Sequence, residues 1–202
     1  MRSQKEKMLA GDLYIAHDAE LRKDFKHAKK LVRLYNHTTE EQPDERKRLI
    51  KELFKQSGSG VYLEPPFYTD YGCNTVVGDN FYANYECIIL DIANVTIGNN
   101  VFFGPRVGLY TAGHPIDAVI RNEGYENGKP IEIGDDVWFG GNVVVNPGVK
   151  IGSNVVIGSG SIVTKDIPDN VIAVGNPCKV LRKITDEDKK YWELEKQKYF
   201  ED

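Results

Sequence analysis

The chain has 202 residues and a formal net charge of −4, from 26 basic and 30 acidic side chains. This balance lacks the basic excess of nucleic-acid-binding domains, and no apolar run approaches the roughly 18 residues of a membrane helix. We therefore expect no nucleic-acid partner and no membrane partner. The first residues, MRSQKEK, lack the apolar stretch of a secretory signal, and three cysteines without metal-type spacing predict a reduced, cytoplasmic protein.

Branched aliphatic residues are distributed unevenly along the chain. Of the 35 isoleucines and valines, 31 lie in residues 71–184, whereas only three of the 12 leucines lie there. Leucine, lysine and glutamate favour helices, and valine and isoleucine favour strands. The composition therefore predicts a helical front followed by a strand-rich body.

The front of the chain shows helical periodicity. Apolar residues recur at three- and four-residue steps between Asp18 and His37, and Asp18 is a suitable N-cap. A second helix is predicted from about Pro43 to Gln56, where a Ser-Gly-Ser-Gly run follows. We assign residues 1–57 to a helical N-terminal segment. Since two short helices bury little surface alone, we expect this segment to lie against the body.

A six-residue repeat organises the body. Apolar residues recur every six positions, each followed by a turn residue, and a second apolar or small residue comes four positions after each. The first set comprises Ile133, Phe139, Val145, Ile151, Ile157 and Val163. This period predicts short strands joined by sharp corners, which is typical of a parallel β-helix with stacked coils. We assign residues 58–184 to a mainly β structure of this kind and residues 185–202 to a short C-terminal helix.

One stretch, residues 113–130, interrupts the repeat. It is polar and rich in turn formers, so we expect a protruding loop, which is where a binding site is found on a rigid scaffold. His114 stands at the root of this loop, and histidine suits a general base acting on a hydroxyl. The other three histidines, at positions 17, 27 and 37, are interpreted as surface or capping residues. No second histidine lies in the repeats, which argues against a zinc site, and we predict no metal.

Seven stretches of the sequence match a known family. They are KEKMLAGDLY at 5–14, LYNH at 34–37, EPPFYTDYGCN at 64–74, NFYANYECIILD at 80–91, LYTAGHPID at 109–117, IGDDVWFGGNVVVNPGVKIG at 133–152 and VTKDIPDNVIAVGNPCKVLRKI at 163–184. In them the chain resembles the hexapeptide-repeat sugar O-acetyltransferases, and TAGHPID favours the maltose type over the galactoside type. The resemblance implies a left-handed parallel β-helix and a homotrimer with active sites between neighbouring prisms.

The resemblance also implies a reaction, the direct transfer of an acetyl group from acetyl-CoA to a sugar hydroxyl. His114 would take the hydroxyl proton and return it to the departing thiolate. Asn84 would help to hold the sugar and the acetyl group, and Asp70 and Asp91 match positions at or beside sugar contacts. The family's acidic contact from the first helical region has no clean match, and Asp18 is the nearest candidate.

A further set of residues matches the family's coenzyme site. The set comprises Asn84, Trp138, Gly141, Ser159, Thr164, Lys165, Lys179 and Arg182. The Gly140–Gly141 pair lies at a corner where backbone N–H groups would face the thioester oxygen. The residues at 159, 164 and 165 match the pantetheine track, and a basic group with Lys183 after the last coil is placed for the coenzyme phosphates.

Two other functions stay open from the sequence. One is a related acyltransferase with another acceptor, such as serine, an amino sugar, or an antibiotic such as chloramphenicol or a streptogramin. The other is a non-catalytic β-helix scaffold. His114, Asn84 and the basic group argue against the scaffold, because a decayed enzyme need not keep all three.

Overall fold

The computed structural model describes residues 1–201. Its helices in this part of the chain are α1 (Gln4–Ala10), α2 (Ala19–Asn36), α3 (Pro43–Leu53), α4 (Ala118–Asn122) and α5 (Asp186–Glu201). The first ten strands are β1 (Tyr14–Ile15), β2 (Gln56–Ser57), β3 (Tyr62–Leu63), β4 (Tyr68–Thr69), β5 (Thr75–Val77), β6 (Tyr82–Ala83), β7 (Ile88–Leu90), β8 (Val95–Ile97), β9 (Phe102–Phe103) and β10 (Gly108–Tyr110). The later strands are β11 (Ala112–Gly113), β12 (Tyr125–Gly128), β13 (Ile131–Ile133), β14 (Trp138–Phe139), β15 (Val144–Val145), β16 (Lys150–Ile151), β17 (Val156–Ile157), β18 (Ile162–Val163), β19 (Val171–Val174) and β20 (Lys179–Lys183).

Three parallel sheets form the faces of a solenoid of about six turns. The first face contains β2, β5, β8, β13 and β16; the second contains β3, β6, β9, β14, β17 and β19; the third contains β4, β7, β10, β15 and β18. Each strand bonds to the strand one coil away, as where the Gly108 N–H donates to the Val143 carbonyl at 2.9 Å. The β-helix predicted from the six-residue repeat is confirmed.

The solenoid interior is filled by the residues that the repeat marks as inward. All six residues of the first set, from Ile133 to Val163, are buried, and so are the side chains four positions after each. Three phenylalanines stack through the core: Phe103 meets Phe81 and Phe139 edge to face, with ring centroids 5.0 and 4.8 Å apart. Stacked inward side chains bury a continuous apolar core, which explains the excess of branched residues.

The corners of the solenoid use left-handed backbone conformations. At the corner between the first and second faces, asparagine or aspartate has φ between 53° and 58°; these residues are Asn80, Asn100, Asp136, Asn154 and Asn170. Such residues tolerate this region better than other non-glycine residues. Glu86 (φ 62°) and Arg106 (φ 61°), at the next corner, were not predicted to adopt it. They lie one coil apart, and the Arg106 Nε lies 2.6 Å from a Glu86 carboxylate oxygen.

The helices α2 and α3 cover the open end of the solenoid. Their buried apolar residues, apart from Leu21, belong to the same apolar cluster as the coils. The Asn36 side-chain amide makes the two backbone hydrogen bonds that a neighbouring strand would make. Its Nδ2 donates to the Phe67 carbonyl and its Oδ1 accepts from the Phe67 N–H, both at 2.9 Å. The expectation that the helical segment lies against the body is therefore confirmed. The first coil strand begins at Gln56, two residues before the assigned start of the β-helix, and helix α1 was not predicted.

Residues 113–130 are more ordered than the expected irregular loop. Strand β12 pairs antiparallel with β11 on one side and with β1 of the N-terminal segment on the other. Only the tip, around α4, projects: Ile116 is 98% exposed and Val119 is 69% exposed. The loop is thus tied to the N-terminal segment at its base, which fixes the residues next to His114.

The C-terminal region adds a strand that was not predicted. Strand β20 turns back and pairs antiparallel with β19, which extends the second face. Helix α5 then begins at Asp186, inside the predicted range, and the Thr185 N–H donates to the Asp188 carboxylate at 2.9 Å. Within residues 1–201, no helix is long and apolar enough to cross a membrane.

Candidate active site

His114 lies directly after strand β11, and its side chain is exposed. The β11–β12 ladder consists of two pairs, Ala112 with Gly128 and Gly113 with Asn127. Continued by one residue, this register places His114 opposite Glu126. Residues directly opposite in an antiparallel ladder have Cβ atoms roughly 5 Å apart on the same side.

A cavity of about 340 Å³ lies beside this ladder. It is lined by Tyr14, Ala16, His17, Arg22, Phe25, Asp70, Tyr71, Ile92 and Glu126. The lining comes from three parts of the chain: the N-terminal segment, the early coils, and the loop that contains Glu126. A small cavity with apolar walls and a few polar groups is typical of a small-molecule site.

Asp70 reaches this cavity, as expected for a residue of the binding site. Its carboxylate is largely buried, and the Lys29 ammonium lies 3.6 Å away. Burial raises the pKa of Asp70, and the Lys29 charge opposes that shift. The Lys29 ammonium also donates to the Thr69 carbonyl at 3.0 Å, so the cation is held in place beside Asp70.

Asp91 is placed differently from the expected sugar contact. The residue is completely buried, so it offers no surface to a ligand. Its carboxylate accepts hydrogen bonds from Thr69, Tyr71, Asn74 and Thr75, at 2.8–3.3 Å. It therefore joins two neighbouring coils beneath the cavity, and it positions the backbone of Tyr71, whose side chain lines the cavity.

Asp18 caps helix α2 and does not line the cavity. Its Oδ1 accepts from the Glu20 N–H at 2.9 Å and from the Leu21 N–H at 3.4 Å, which confirms the predicted N-cap. Its assignment as a sugar contact finds no support in this geometry. Ala16 and His17 line the cavity from the same segment instead, so the interpretation of His17 as a plain surface residue was incomplete.

The residues matched to the acetyl group lie at another corner of the prism. The Asn84 Oδ1 accepts from the Tyr85 N–H at 2.7 Å, which leaves its amide group for a ligand. The Gly140 N–H donates to the Ile157 carbonyl at 2.8 Å, whereas the Gly141 N–H makes no such bond within residues 1–201. Of the glycine pair, only Gly141 has a free N–H to offer as an oxyanion donor.

Three further residues matched to the coenzyme, Ser159, Thr164 and Lys165, are exposed on the prism surface. Ser159 lies one coil beyond Gly141, and the Gly160 N–H donates to the Gly141 carbonyl at 2.9 Å. Thr164 and Lys165 follow strand β18 at the next corner, so they do not share the corner of Gly141. The track is thus spread over two corners.

The basic tail lies on the second face. Trp138 pairs with Val156, Val156 with Ile172, and Ile172 with Arg182, so Trp138 and Arg182 occupy one row roughly 14 Å long. The Arg182 guanidinium is already paired with both Asp188 oxygens at 2.7 Å. Lys179, in the same strand, is exposed. A coenzyme phosphate at Arg182 would have to compete with Asp188, which the sequence did not predict.

His114 and the Asn84–Gly141 corner are separated within one chain. The corner of Asn84 and Gly141 precedes the strands of the third face, and His114 follows a strand at the other end of that face. A strand with its flanking residues spans roughly 15 Å. One prism therefore does not bring the two groups together. No group of three or more metal-ligating side chains occurs in the described residues 1–201.

Sequence reasoning missed most of the cavity lining. Tyr14 and Glu126 are 112 residues apart, yet the Tyr14 hydroxyl donates to a Glu126 carboxylate oxygen at 2.7 Å. Phe25 and Tyr71 meet edge to face at 6.1 Å and form an aromatic wall. The one available signal was the turn-rich loop itself, since its polar residues include Glu126.

The comparisons with known proteins agree with this arrangement. The maltose acetyltransferase hexapeptide capping motif matches residues 7–58, and the six-repeat bacterial transferase hexapeptide matches residues 130–165. Galactoside O-acetyltransferase of Escherichia coli (strain K12) is 46% identical over 187 residues, which cover 93% of this chain and 92% of that protein. The chain belongs to the hexapeptide-repeat sugar O-acetyltransferase family.

Solved structures of this family superpose on nearly the whole chain. A maltose O-acetyltransferase from Clostridium difficile 630 gives a TM-score of 0.90 at 51% identity, covering 91% of this chain and 98% of that one. A galactoside acetyltransferase in complex with coenzyme A gives 0.91 at 45% identity, covering 94% of each chain. A solenoid of the opposite hand would not superpose in this way. The fold is the left-handed parallel β-helix that the sequence resemblance implied.

Proposed function

We propose that the protein transfers the acetyl group of acetyl-CoA to a hydroxyl of a small neutral sugar, such as maltose, glucose or a galactoside, with His114 as the general base. Family membership supports the general reaction, acetyl-CoA-dependent O-acetyl transfer. The acceptor and the base rest on one observation: the β11–β12 register, continued by one residue, places the exposed His114 opposite Glu126, which lines the cavity together with Asp70. Carboxylates accept hydrogen bonds from sugar hydroxyls, so this cavity suits a polyol acceptor.

The proposed reaction is a single transfer. His114 takes the proton from the sugar hydroxyl while that oxygen attacks the thioester carbonyl carbon. The negative charge that develops on the carbonyl oxygen is stabilised by the free Gly141 N–H and by the amide of Asn84. The C–S bond then breaks, His114 returns the proton to the sulfur, and the products are the O-acetyl sugar and the free thiol of CoA.

The coenzyme is proposed to run from this corner along the prism. Trp138 and Ser159 lie beside Gly141, and Thr164 with Lys165 follows at the next corner. Lys179 supplies a free positive charge for the phosphates, whereas Arg182 must first leave Asp188. Acetyl-CoA is a substrate in this scheme, and no resident cofactor or metal is needed for the transfer.

The proposed assembly is a homotrimer whose active sites lie between neighbouring chains. Since one prism separates His114 from the Asn84–Gly141 corner, a second copy has to bring that corner to His114. The second face also leaves aromatic side chains exposed, at Tyr62, Phe102 and Trp138, and such patches mark interaction surfaces. A closed cyclic assembly would cover this face on every copy.

Complementation between two inactive variants tests the shared site. His114→Ala and Asn84→Ala are each expected to be strongly impaired, but trimers that mix the two chains contain an interface with both groups intact. Co-expression with two different affinity tags should therefore restore a measurable fraction of wild-type turnover. If doubly tagged assemblies stay as inactive as either parent, the site lies within one chain and this assembly is wrong.

The choice of acceptor is tested by thiol release from acetyl-CoA. We expect turnover with maltose, glucose and galactosides, and none with serine, amino-sugar nitrogen, chloramphenicol or a streptogramin. Release with only one of the latter compounds would replace the sugar by that acceptor. Silence with every acceptor, together with no binding of coenzyme A, would favour a non-catalytic scaffold.

A further inference from the structure

The exposed face of helix α2 carries a row of positive charges. The helix contains six basic and two acidic side chains, a formal charge of +4 in a chain whose total is −4. At 3.6 residues per turn, five of the basic residues fall within an arc of about 100° along roughly 16 Å of the helix. These five exposed residues, called the α2 stripe below, are Arg22, Lys23, Lys26, Lys30 and Arg33.

The α2 stripe has no partner within the described residues 1–201. None of its five side chains forms a salt bridge or a side-chain hydrogen bond there. The two carboxylates of the helix are directed elsewhere: Glu20 and Asp24 lie 3.7 and 2.7 Å from the Lys5 ammonium of helix α1. The positive charge of the stripe therefore stays uncompensated.

Helix α3 shows the contrast with an ordinary charged surface. There the Arg48 guanidinium is paired with Glu45 and Glu52, both at 2.7 Å, at spacings of three and four residues. In α2 the four-residue spacing joins like charges instead, as between Lys26 and Lys30, and such pairs weaken a helix. A bound anion would turn this repulsion into attraction.

The N-terminal end of the stripe adjoins the acceptor cavity. An open depression of about 460 Å³ lies there, lined by His17, Ala19, Arg22, Lys23 and Lys26. His17 and Arg22 also line the acceptor cavity, so the two spaces share a wall. No carboxylate of the described chain lines the depression, whereas the cavity itself contains Asp70 and Glu126.

This difference in charge separates two parts of one ligand. The carboxylates of the cavity repel an anion and accept hydrogen bonds from hydroxyls, so an uncharged sugar ring belongs there. Three cations line the neighbouring depression, where the arginine fork and the lysine point charges both suit a phosphate group. A ring in the cavity that carries a phosphate ester can place the phosphate in the depression.

We propose that the N-terminal end of the α2 stripe binds a phosphate group carried by the acceptor, so that the preferred substrates are phosphorylated sugars. Lys23 and Lys26 contact the phosphate together with Arg22, whereas Lys30 and Arg33 attract it from further along the helix. This inference rests on the proposed function: it adds a charged substituent, outside the cavity, to the neutral ring of that proposal.

The first test compares acceptors on the wild-type protein. At saturating acetyl-CoA, kcat/KM is measured for glucose, glucose 1-phosphate and glucose 6-phosphate. At least one of the two phosphates should exceed glucose by roughly 10- to 100-fold, the effect of a hydrogen bond to a charged group. Glucose with added inorganic phosphate should stay at the glucose value. If neither sugar phosphate exceeds glucose, or if free phosphate stimulates glucose turnover equally, the proposal is wrong.

The second test compares two double variants of the same helix. The near pair, Lys23→Gln with Lys26→Gln, lies in the depression but not in the acceptor cavity. The far pair, Lys30→Gln with Arg33→Gln, lies in neither and is the matched control. Each removes two exposed positive charges, so a difference between them reports contact rather than total charge.

The near pair should lower kcat/KM for the preferred sugar phosphate by roughly 10-fold or more and leave glucose unchanged. The far pair should lower it by less than about 3-fold. Equal losses in the two pairs, or an equal loss with glucose in the near pair, would overturn the phosphate site. A wild-type protein that releases no thiol with any sugar, phosphorylated or not, would instead overturn the proposed function itself.

Discussion

Replacing His114 with alanine is expected to lower kcat/KM for acetyl transfer by roughly 10²- to 10⁴-fold, the usual contribution of a positioned general base. The imidazole is exposed, so its removal should change the free energy of unfolding by less than about 0.5 kcal/mol. The measurement is thiol release with a saturating sugar, alongside a thermal melt. Binding of coenzyme A should persist, because His114 is not among the residues matched to the coenzyme.

His27→Ala is the control for this experiment. His27 is exposed on helix α2 and does not line the cavity, so its replacement should leave turnover unchanged. Turnover near the wild-type value in His114→Ala would remove the histidine from the mechanism. A loss of turnover accompanied by a large fall in melting temperature would indicate a folding defect instead, contrary to its exposed position.

Replacing Asp91 with alanine is expected to have the largest effect on stability of any single change considered. The carboxylate accepts four hydrogen bonds from residues of two coils, and its loss leaves those buried donors unpaired. At roughly 1 kcal/mol or more for each donor, the free energy of unfolding should fall by about 4 kcal/mol. For a chain of this size, the melting temperature should fall by roughly 10 °C.

Asp166→Ala makes the same chemical change at an exposed position. The Asp166 carboxylate accepts one hydrogen bond, from the Lys150 N–H at 2.8 Å, so the expected loss is about 1 kcal/mol or less. The competing outcome for Asp91→Ala is a protein that melts as the wild type but binds sugar poorly. That result would support the role of Asp91 as a sugar contact, which the sequence resemblance implied and which the burial of the residue argues against.

The solenoid could be predicted because its physics is local and repeated. A six-residue period marks the side chains that point into the solenoid, and equivalent inward positions of successive coils carry the same residue types. The exceptions are positions where the period carries no information. Glu86 and Arg106 turn corners in the left-handed region without being glycine or asparagine, and their ion pair across coils is visible only once the coils are stacked.

The candidate site was predicted less completely, because it depends on contacts between distant parts of the chain. His114 and Asp70 were predicted from the broken repeat and from the family resemblance. Glu126 was not found, since its pairing with Tyr14 joins residues 112 positions apart. Asp91 was misplaced for a related reason: nothing local in the LDIAN stretch reveals that Thr69 and Thr75 converge on its carboxylate.

Identification of the acetylated product tests the central claim most directly. The wild-type protein is incubated with acetyl-CoA and maltose or glucose, and the product is analysed by NMR and mass spectrometry. We predict an O-acetyl ester on one sugar hydroxyl, formed in equal amount with free CoA thiol, and absent with His114→Ala. Thiol release without an ester, or an ester formed equally well by His114→Ala, would contradict the account.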